Sequence, residues 1–509
     1  MTIKILMLVI FFGVMLAIGF YCRKHATDVN GFVLGGRSVG PWLTAFAYGT
    51  SYFSAVIFVG YAGQFGWKYG IASTWIGIGN ALLGSMLAWV VLGRRTRVMT
   101  QHLDSATMPE FFGTRFQSKN LKIVASVIVF IFLIPYTASL YNGLSRLFGM
   151  AFHIDYAVCI LVMAVLTGIY VVAGGYMATA INDFLQGLIM LFGIVVVIAA
   201  VLKSNGGFLE ALNGLANVED AAASTQPGVF ASFFGPDPFN LLCVVVLTSL
   251  GTWGLPQMVQ KFYAIKNEKA IEKGTVISTL FAVVVAGGCY FLGGFGRLFD
   301  IDVKTLGYDA IIPKMLENLP DLLIAVVILL VLSASMSTLS SLVLTSSSTL
   351  TIDIIKPASK KMTERTQLSV MRVLIAVFII ISAVLAFVQY KLNISSIAQL
   401  MGISWGALAG AFLAPFIYGL YWKRATAAGC AASFVFGVGV MTANMIFRSY
   451  FPAILRSPVN CGAFVMLAGL VIVPVVSLLT KSPDRAKTDE MFSCYDTAVT
   501  GQAKEFLGD

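Results

Sequence analysis

The sequence predicts an all-α integral membrane protein of about thirteen transmembrane helices arranged around an inverted repeat. Three observations predict it. The 509 residues are 58% hydrophobic and 11% charged, and the mean hydropathy of +0.86 lies beyond what a soluble domain of this size tolerates. Apolar runs of roughly 20 residues, the length that crosses a hydrocarbon layer about 30 Å thick, recur along the whole chain. Two of these runs, five spans apart, are interrupted by glycine or proline, the pattern expected of an inverted-repeat transporter.

The runs begin near residues 3, 40, 70, 121, 154, 181, 238, 274, 320, 369, 395, 425 and 458. The first, "IKILMLVIFFGVMLAIGFYC", has no small-residue cleavage site after it and reads as a retained helix. The second carries "AYGTSYFSA" at 47–55, and the seventh carries "SLGTWGLPQ" at 249–257, where Gly251, Gly254 and Pro256 weaken the helix. Because five is odd, a repeat of that length returns the chain with inverted topology. The expected organisation is a first helix and inside loop (1–39), a five-helix repeat (40–202), an outside loop (203–237), a second, inverted five-helix repeat (238–424), two peripheral helices (425–480) and a cytoplasmic tail (481–509). An odd number of spans puts the termini on opposite faces. Most of the 34 lysines and arginines, including Lys24, Arg94, Arg95, Arg97, Lys261, Lys266, Lys360, Lys361 and Lys504, fall in alternate loops, which predicts an N-out, C-in orientation. The net charge of +10 follows from the same asymmetry and calls for no nucleic acid.

The ninth span poses the chemical question. Its segment "LSASMSTLSS", 332–341, carries six hydroxyls, and a hydroxyl in hydrocarbon is costly without a partner. Ala334, Ser337, Thr338 and Ser341 step by three and four and share one helix face, with Ser340 beside it. Close helix packing with protons returned to the helix's own carbonyls is the plain alternative. The functional reading is a site for a hard monovalent cation, built from neutral hydroxyls and from carbonyls freed where a helix breaks. The unwound backbone around Thr50 and Phe53 would face Ser337 and Thr338. Asp183, in "AINDFLQG", is the carboxylate placed inside a span near these elements. With Ser340 and Ser341 it would make a second cation site, or it would simply cap a helix. No lysine or arginine is placed inside a span to pair with a carboxylate.

Other chemistry is thinly supported. The seven cysteines fall singly, and His25, His102 and His153 are isolated near helix ends, so no metal centre is expected. No nucleophile and base or phosphate loop argues for an enzyme. A passive pore would need a filter-like loop, which is not visible. A proton-coupled carrier titrating Asp183 and a non-transporting membrane sensor remain as rival readings.

Several stretches carry a wider similarity: "LGGRSVGPWLTA" (34–45), "YTASLYNGLSRLFG" (136–149), "GGYMATAINDFLQG" (174–187), "SMSTLSS" (335–341) and "AFLAPFIYGLYWKRA" (411–425). In these, and in their order, the chain resembles the sodium:solute symporter family, which includes proline, pantothenate, sialic acid and sodium-glucose carriers. The resemblance implies thirteen helices around a five-plus-five, LeuT-like core in a bacterial cell membrane. It also implies import of a small organic solute, such as an organic acid, amino acid or vitamin-like compound, by alternating access driven by sodium. It places the main sodium site at the backbone oxygens of Thr50, Phe53 and Ala334 and the hydroxyls of Ser337 and Thr338, and a second one, in members that have it, at Asp183, Ser340 and Ser341. Arg37 matches an arginine of the inside loop and is expected at the cytoplasmic gate. The solute is expected near the midplane, against Tyr48, Ser51, Tyr52, Tyr136, Tyr141, Thr248, Thr252, Trp253, Ser404 and Trp405. Proline carriers of the family have an aspartate at the position of Tyr52 and aromatic residues at those of Thr248 and Thr252, so this chain departs from them there. The expected partners are the lipid bilayer and the solute, with no organic cofactor and a monomer as the default state.

Overall fold

The computed structural model describes residues 2–23, 26–152, 154–359, 362–392 and 396–496. Lys24, His25, His153, Lys360, Lys361, Lys504 and the end of the tail lie outside the described residues. The structure is helical throughout; among the described residues the extended pairings are two isolated bridges, Val39 with Ile265 and Asp220 with Ser224.

In chain order the main helices are α1 (Thr2–Cys22), α2 (Pro41–Tyr52), α3 (Val56–His102), α4 (Lys119–Phe152), α5 (Tyr156–Ser204), α6 (Pro238–Trp253), α7 (Pro256–Ala264), α8 (Glu268–Leu298), α9 (Asp321–Ala358), α10 (Glu364–Leu392), α11 (Ile397–Tyr421), α12 (Ala427–Ile446) and α13 (Pro458–Leu479). Ten of the described helices are long and apolar enough to cross a bilayer, or eleven when the bent pair α6 and α7 is one span. This measure does not count the expected thirteen one by one, for local reasons. Helix α2 is a twelve-residue half-span, α3 is one apolar stretch although its backbone breaks at Gly70 (φ 62°, ψ −142°), and the start of α5, Tyr156–Ile169, is a shorter apolar helix.

Both expected interruptions are present. Between α2 and α3, Phe53 leaves the helical region for φ −79°, ψ 122°. Between α6 and α7, Leu255 does the same at φ −87°, ψ 120°, with Pro256 opening the next half-helix and a bend of 42°. An extended residue cannot hold the helical hydrogen-bond ladder, so carbonyls before it lose their usual partners. Helix α9 runs through the middle, packed against α1, α2, α4, α5, α7 and α10, while α12 and α13 pack on α11. Helices α9 and α11 are the most enclosed and α1 and α10 the least. Large apolar residues such as Ile3, Leu6, Val9 and Ile10 on α1 and Val373, Ile380 and Val384 on α10 point outward. In a membrane those faces meet lipid.

Close approach of backbones fixes where helices cross. A Cβ on Gly66 of α3 would lie 2.1 Å from the carbonyl of Gly293 in α8. Glycine is needed there on both helices.

Candidate functional site

The site grows from the two sides of the first break. Helix α2 ends at Tyr52, leaving the carbonyls of Thr50 and Phe53 turned toward α9. Ser337 Oγ lies 3.1 Å from the carbonyl oxygens of both Thr50 and Ala334. Thr338 Oγ1 lies 3.0 Å from Thr50 O, 3.3 Å from Phe53 O and 3.1 Å from Ala334 O. All five residues are buried. The five oxygens expected to gather do gather, and two hydroxyl protons cannot serve five donor-to-carbonyl approaches at once. The cluster is rich in acceptors and poor in protons, which is the chemistry a small hard cation matches.

The remaining hydroxyls of 332–341 divide by helix face. Ser335 and Ser340 donate back to the carbonyls of Val331 (2.7 Å) and Ser337 (2.8 Å), in the local pattern that serves packing. Ser341 instead faces outward from α9: its Oγ is 2.9 Å from Ser51 Oγ and 3.0 Å from Lys261 Nζ.

Lys261 corrects the expectation that no basic residue sits among the spans. The loop asymmetry of basic residues puts it in an inside loop, but the half-helix α7 continues through it to Ala264, and its side chain is buried. Its ammonium lies 3.8 Å from Asp183 Oδ2 and 5.1 Å from the centre of the Tyr176 ring. Asp183 is fully buried in the interior of α5 and is no helix cap. The signal that could have found Lys261 is Pro256 itself, a good first residue for a new helix.

The expected solute residues separate into groups. Tyr48, Tyr52 and Thr252 line a cavity of about 20 Å³ together with Phe53, Asn80, Gly84 and Phe281. That space takes about one water and no organic solute. Tyr52 accepts a hydrogen bond from Asn80, whose amide oxygen accepts from Ser249 at 3.1 Å. Asn80, a lone amide in an apolar run, was missed by sequence reasoning. Tyr48 and Thr252 both donate to the Gly84 carbonyl, at 2.8 and 3.1 Å. The Trp405 ring packs against Tyr52 and Tyr136, with centroids 5.7 and 5.8 Å apart. The Tyr136 hydroxyl and the Trp405 indole nitrogen are buried without a well-aligned hydrogen bond. Tyr141, Thr248, Trp253 and Ser404 lie outside the cavity lining: Thr248 bonds to Val244 O (2.8 Å), Trp253 to Leu83 O (2.9 Å) and Ser404 to Phe132 O. Ser51 donates to Ala47 O at 2.6 Å and faces Ser341.

Arg37 is buried beneath this layer and ties three segments together. Its guanidinium donates to Thr100 Oγ1 (3.2 Å), Thr100 O (3.3 Å), Ser105 O (2.6 Å) and Tyr263 O (3.3 Å), beside the Val39–Ile265 bridge. Burial lowers its pKa, opposed by Tyr263, Asp104 and Glu110 nearby. At the other end of the helices a vestibule of about 880 Å³ opens among Lys68, Asp237, Arg297 and Asn460.

Known proteins share the family and the fold. The family model described as the sodium:solute symporter family matches residues 32–437. The sodium/proline symporter of Staphylococcus aureus (strain JH9) is 29% identical over 495 residues, covering 94% of this chain and 93% of that protein, and the protein of the same name from strain NCTC 8325 / PS 47 gives the same figures. Among solved structures, a Na+-coupled sialic acid symporter in a substrate-bound outward-open state superposes with a TM-score of 0.72 at 17% identity, over 95% of this chain and 99% of that one. The fold is that of a multi-pass membrane symporter.

Proposed function

The chain belongs to the sodium:solute symporter family, and on that premise we propose that it imports a small organic solute with sodium bound by Thr50, Phe53, Ala334, Ser337 and Thr338. The observation that carries this reading is the convergence of three carbonyl and two hydroxyl oxygens across the α2/α3 break. Sodium is cargo here, and the protein's part is to replace its water with fixed dipoles. The oxygens come from both the end of α2 and α9, so an ion between them holds the two repeats, 40–202 and 238–424, in one arrangement. Its departure frees them to rock, which is alternating access.

The solute would bind where Tyr48, Tyr52 and Thr252 now close on a small cavity, after the helices part. Arg37 would act as the gate on the side facing the cytoplasm in an N-out, C-in orientation. The relatives' names cover proline and sialic acid, two chemically different solutes. Tyr52, which pairs with Asn80, stands where proline carriers have an aspartate, so an organic acid, another amino acid or a vitamin-like solute fits the reading better.

The test is the thermal stability of the purified protein in sodium against potassium at equal ionic strength. A ligand at 100 times its dissociation constant stabilises by about 2.7 kcal/mol. Sodium-specific stabilisation is expected in the wild type and is expected to vanish in Ser337→Ala/Thr338→Ala. Equal behaviour of the two ions, together with no sodium-dependent uptake in proteoliposomes, would sink the proposal.

A further inference from the structure

The group around Asp183 is built differently from the five-oxygen cage. Asp183 is a buried carboxylate deep in α5, and a buried anion needs a cation close by. One is already present and is covalently part of the chain: Lys261 Nζ, 3.8 Å from Asp183 Oδ2. An ammonium only donates, so at 3.0 Å Ser341 Oγ must accept from it. The Ser341 proton is then directed to Ser51 Oγ at 2.9 Å, and the Ser51 proton to the Ala47 carbonyl at 2.6 Å. Ser340 is turned away toward the Ser337 carbonyl. The Tyr176 ring covers the ammonium from a further side at 5.1 Å.

We propose that the Lys261 ammonium is a built-in cation in the place where a second sodium would bind, so that the carrier moves one sodium per cycle. The assignment rests on the sodium reading above. Asp183, Ser340 and Ser341 offer one negative charge and two hydroxyls; with Lys261 present the charge is balanced, Ser341 is engaged and Ser340 points elsewhere. A sodium entering as well would leave a buried excess of positive charge with no further acid to meet it among the residues that contact Lys261. The tethered cation also has a mechanical role that a free ion lacks. Through Ser341 and Ser51 it joins α7 to α9 and α2, the two helices that hold Ser337, Thr338 and Thr50. The same ion pair therefore positions the main sodium site and remains with the protein when sodium leaves.

The experiment counts sodium ions bound per purified full-length protein, using radioactive sodium at equilibrium, so that no solute is required. One ion is expected for the wild type, lost in Ser337→Ala/Thr338→Ala. Lys261→Met removes the charge with little change in length, leaves Asp183 without a partner, and is expected to raise the count to two. Adding Asp183→Asn to Lys261→Met is expected to return it to one. A wild-type count of two, with one lost in Asp183→Asn alone, would overturn the assignment, as would a Lys261→Met count that stays at one. Should Lys261→Met fail to fold, the wild-type count decides alone: one supports the assignment and two overturns it. A wild type that binds no sodium would overturn the sodium reading itself and this assignment with it.

Discussion

At the scale of single residues, the hydroxyls of 332–341 show how one helix turns some side chains back on itself and others across to a neighbour. Ser335 and Ser340 close on their own helix, whereas Ser337 and Thr338 cross to carbonyls released by Phe53. Arg37 shows the complementary case, a charge spent on carbonyls. Its four hydrogen bonds hold it in a left-handed backbone, φ 56°, that a side chain other than glycine seldom adopts. Arg37→Ala should remove the charged donor from the acceptors on Thr100, Ser105 and Tyr263 and destabilise the closed end on the order of 3 kcal/mol, since hydrogen bonds to charged groups each contribute about 1.5–3 kcal/mol. The check is labelling of a cysteine introduced at Ser51. Faster modification from the Arg37 side in Arg37→Ala than in the wild type is expected, and unchanged labelling with unchanged melting would refute the gate role. Periodicity showed which face of α9 carries oxygens; it could not show which of them would turn back on the helix, because that choice depends on what faces each one.

At the scale of elements, two features carry the architecture: breaks and glycine crossings. Both breaks were legible because an apolar run is interrupted, by Gly49 and hydroxyls in the first case and by Gly251, Gly254 and Pro256 in the second, and the structure gives them nearly the same extended backbone at Phe53 and Leu255. The crossings were not legible, since a glycine in a membrane helix looks alike whether it meets lipid or another backbone. A Cβ added at Gly66 would lie 2.1 Å from the carbonyl of Gly293, while one added at Gly149 would have nothing within 4 Å. Backbone cannot move aside as a side chain can. Gly66→Ala should therefore cost about 3 kcal/mol through overpacking, and Gly149→Ala should be neutral or stabilise by up to about 1 kcal/mol through helix propensity. Thermal unfolding in detergent distinguishes them, and equal melting temperatures for the two variants would contradict the crossing.

At the scale of the whole molecule, the helices enclose a space too small for a solute between a sealed end at Arg37 and an open vestibule at the other. One sodium per cycle sets the energetics. A membrane potential of 100 mV contributes about 2.3 kcal/mol per charge, and a tenfold sodium gradient contributes about 1.4 kcal/mol. Together these concentrate a neutral or zwitterionic solute several hundredfold, whereas a monovalent anion cancels the voltage part and keeps only about tenfold. Once a panel of organic acids, amino acids and sugars identifies the solute by stabilisation in sodium, current measured against flux should give about one charge per zwitterion and none per monovalent anion. Two charges per zwitterion would contradict single-sodium coupling.

The sequence by itself determined the membrane setting, the positions of both breaks, the family and the set of oxygens around Ser337 and Thr338. The family rests on the resemblance of several stretches in order along the chain; the others depend on composition, local helix chemistry, a helix break and spacing along one helix. It did not determine the partner of Asp183, the pairing of Asn80 with Tyr52, the glycine crossings or the number of helices long enough to span. Lys261 is the clearest instance: its charge and its place after a proline read as a loop, and only the packing of α7 against α9 and α5 brings its ammonium to Ser341 and Asp183. Contacts between residues eighty positions apart are set by how helices cross, and helix crossing is decided by the fit of many surfaces at once.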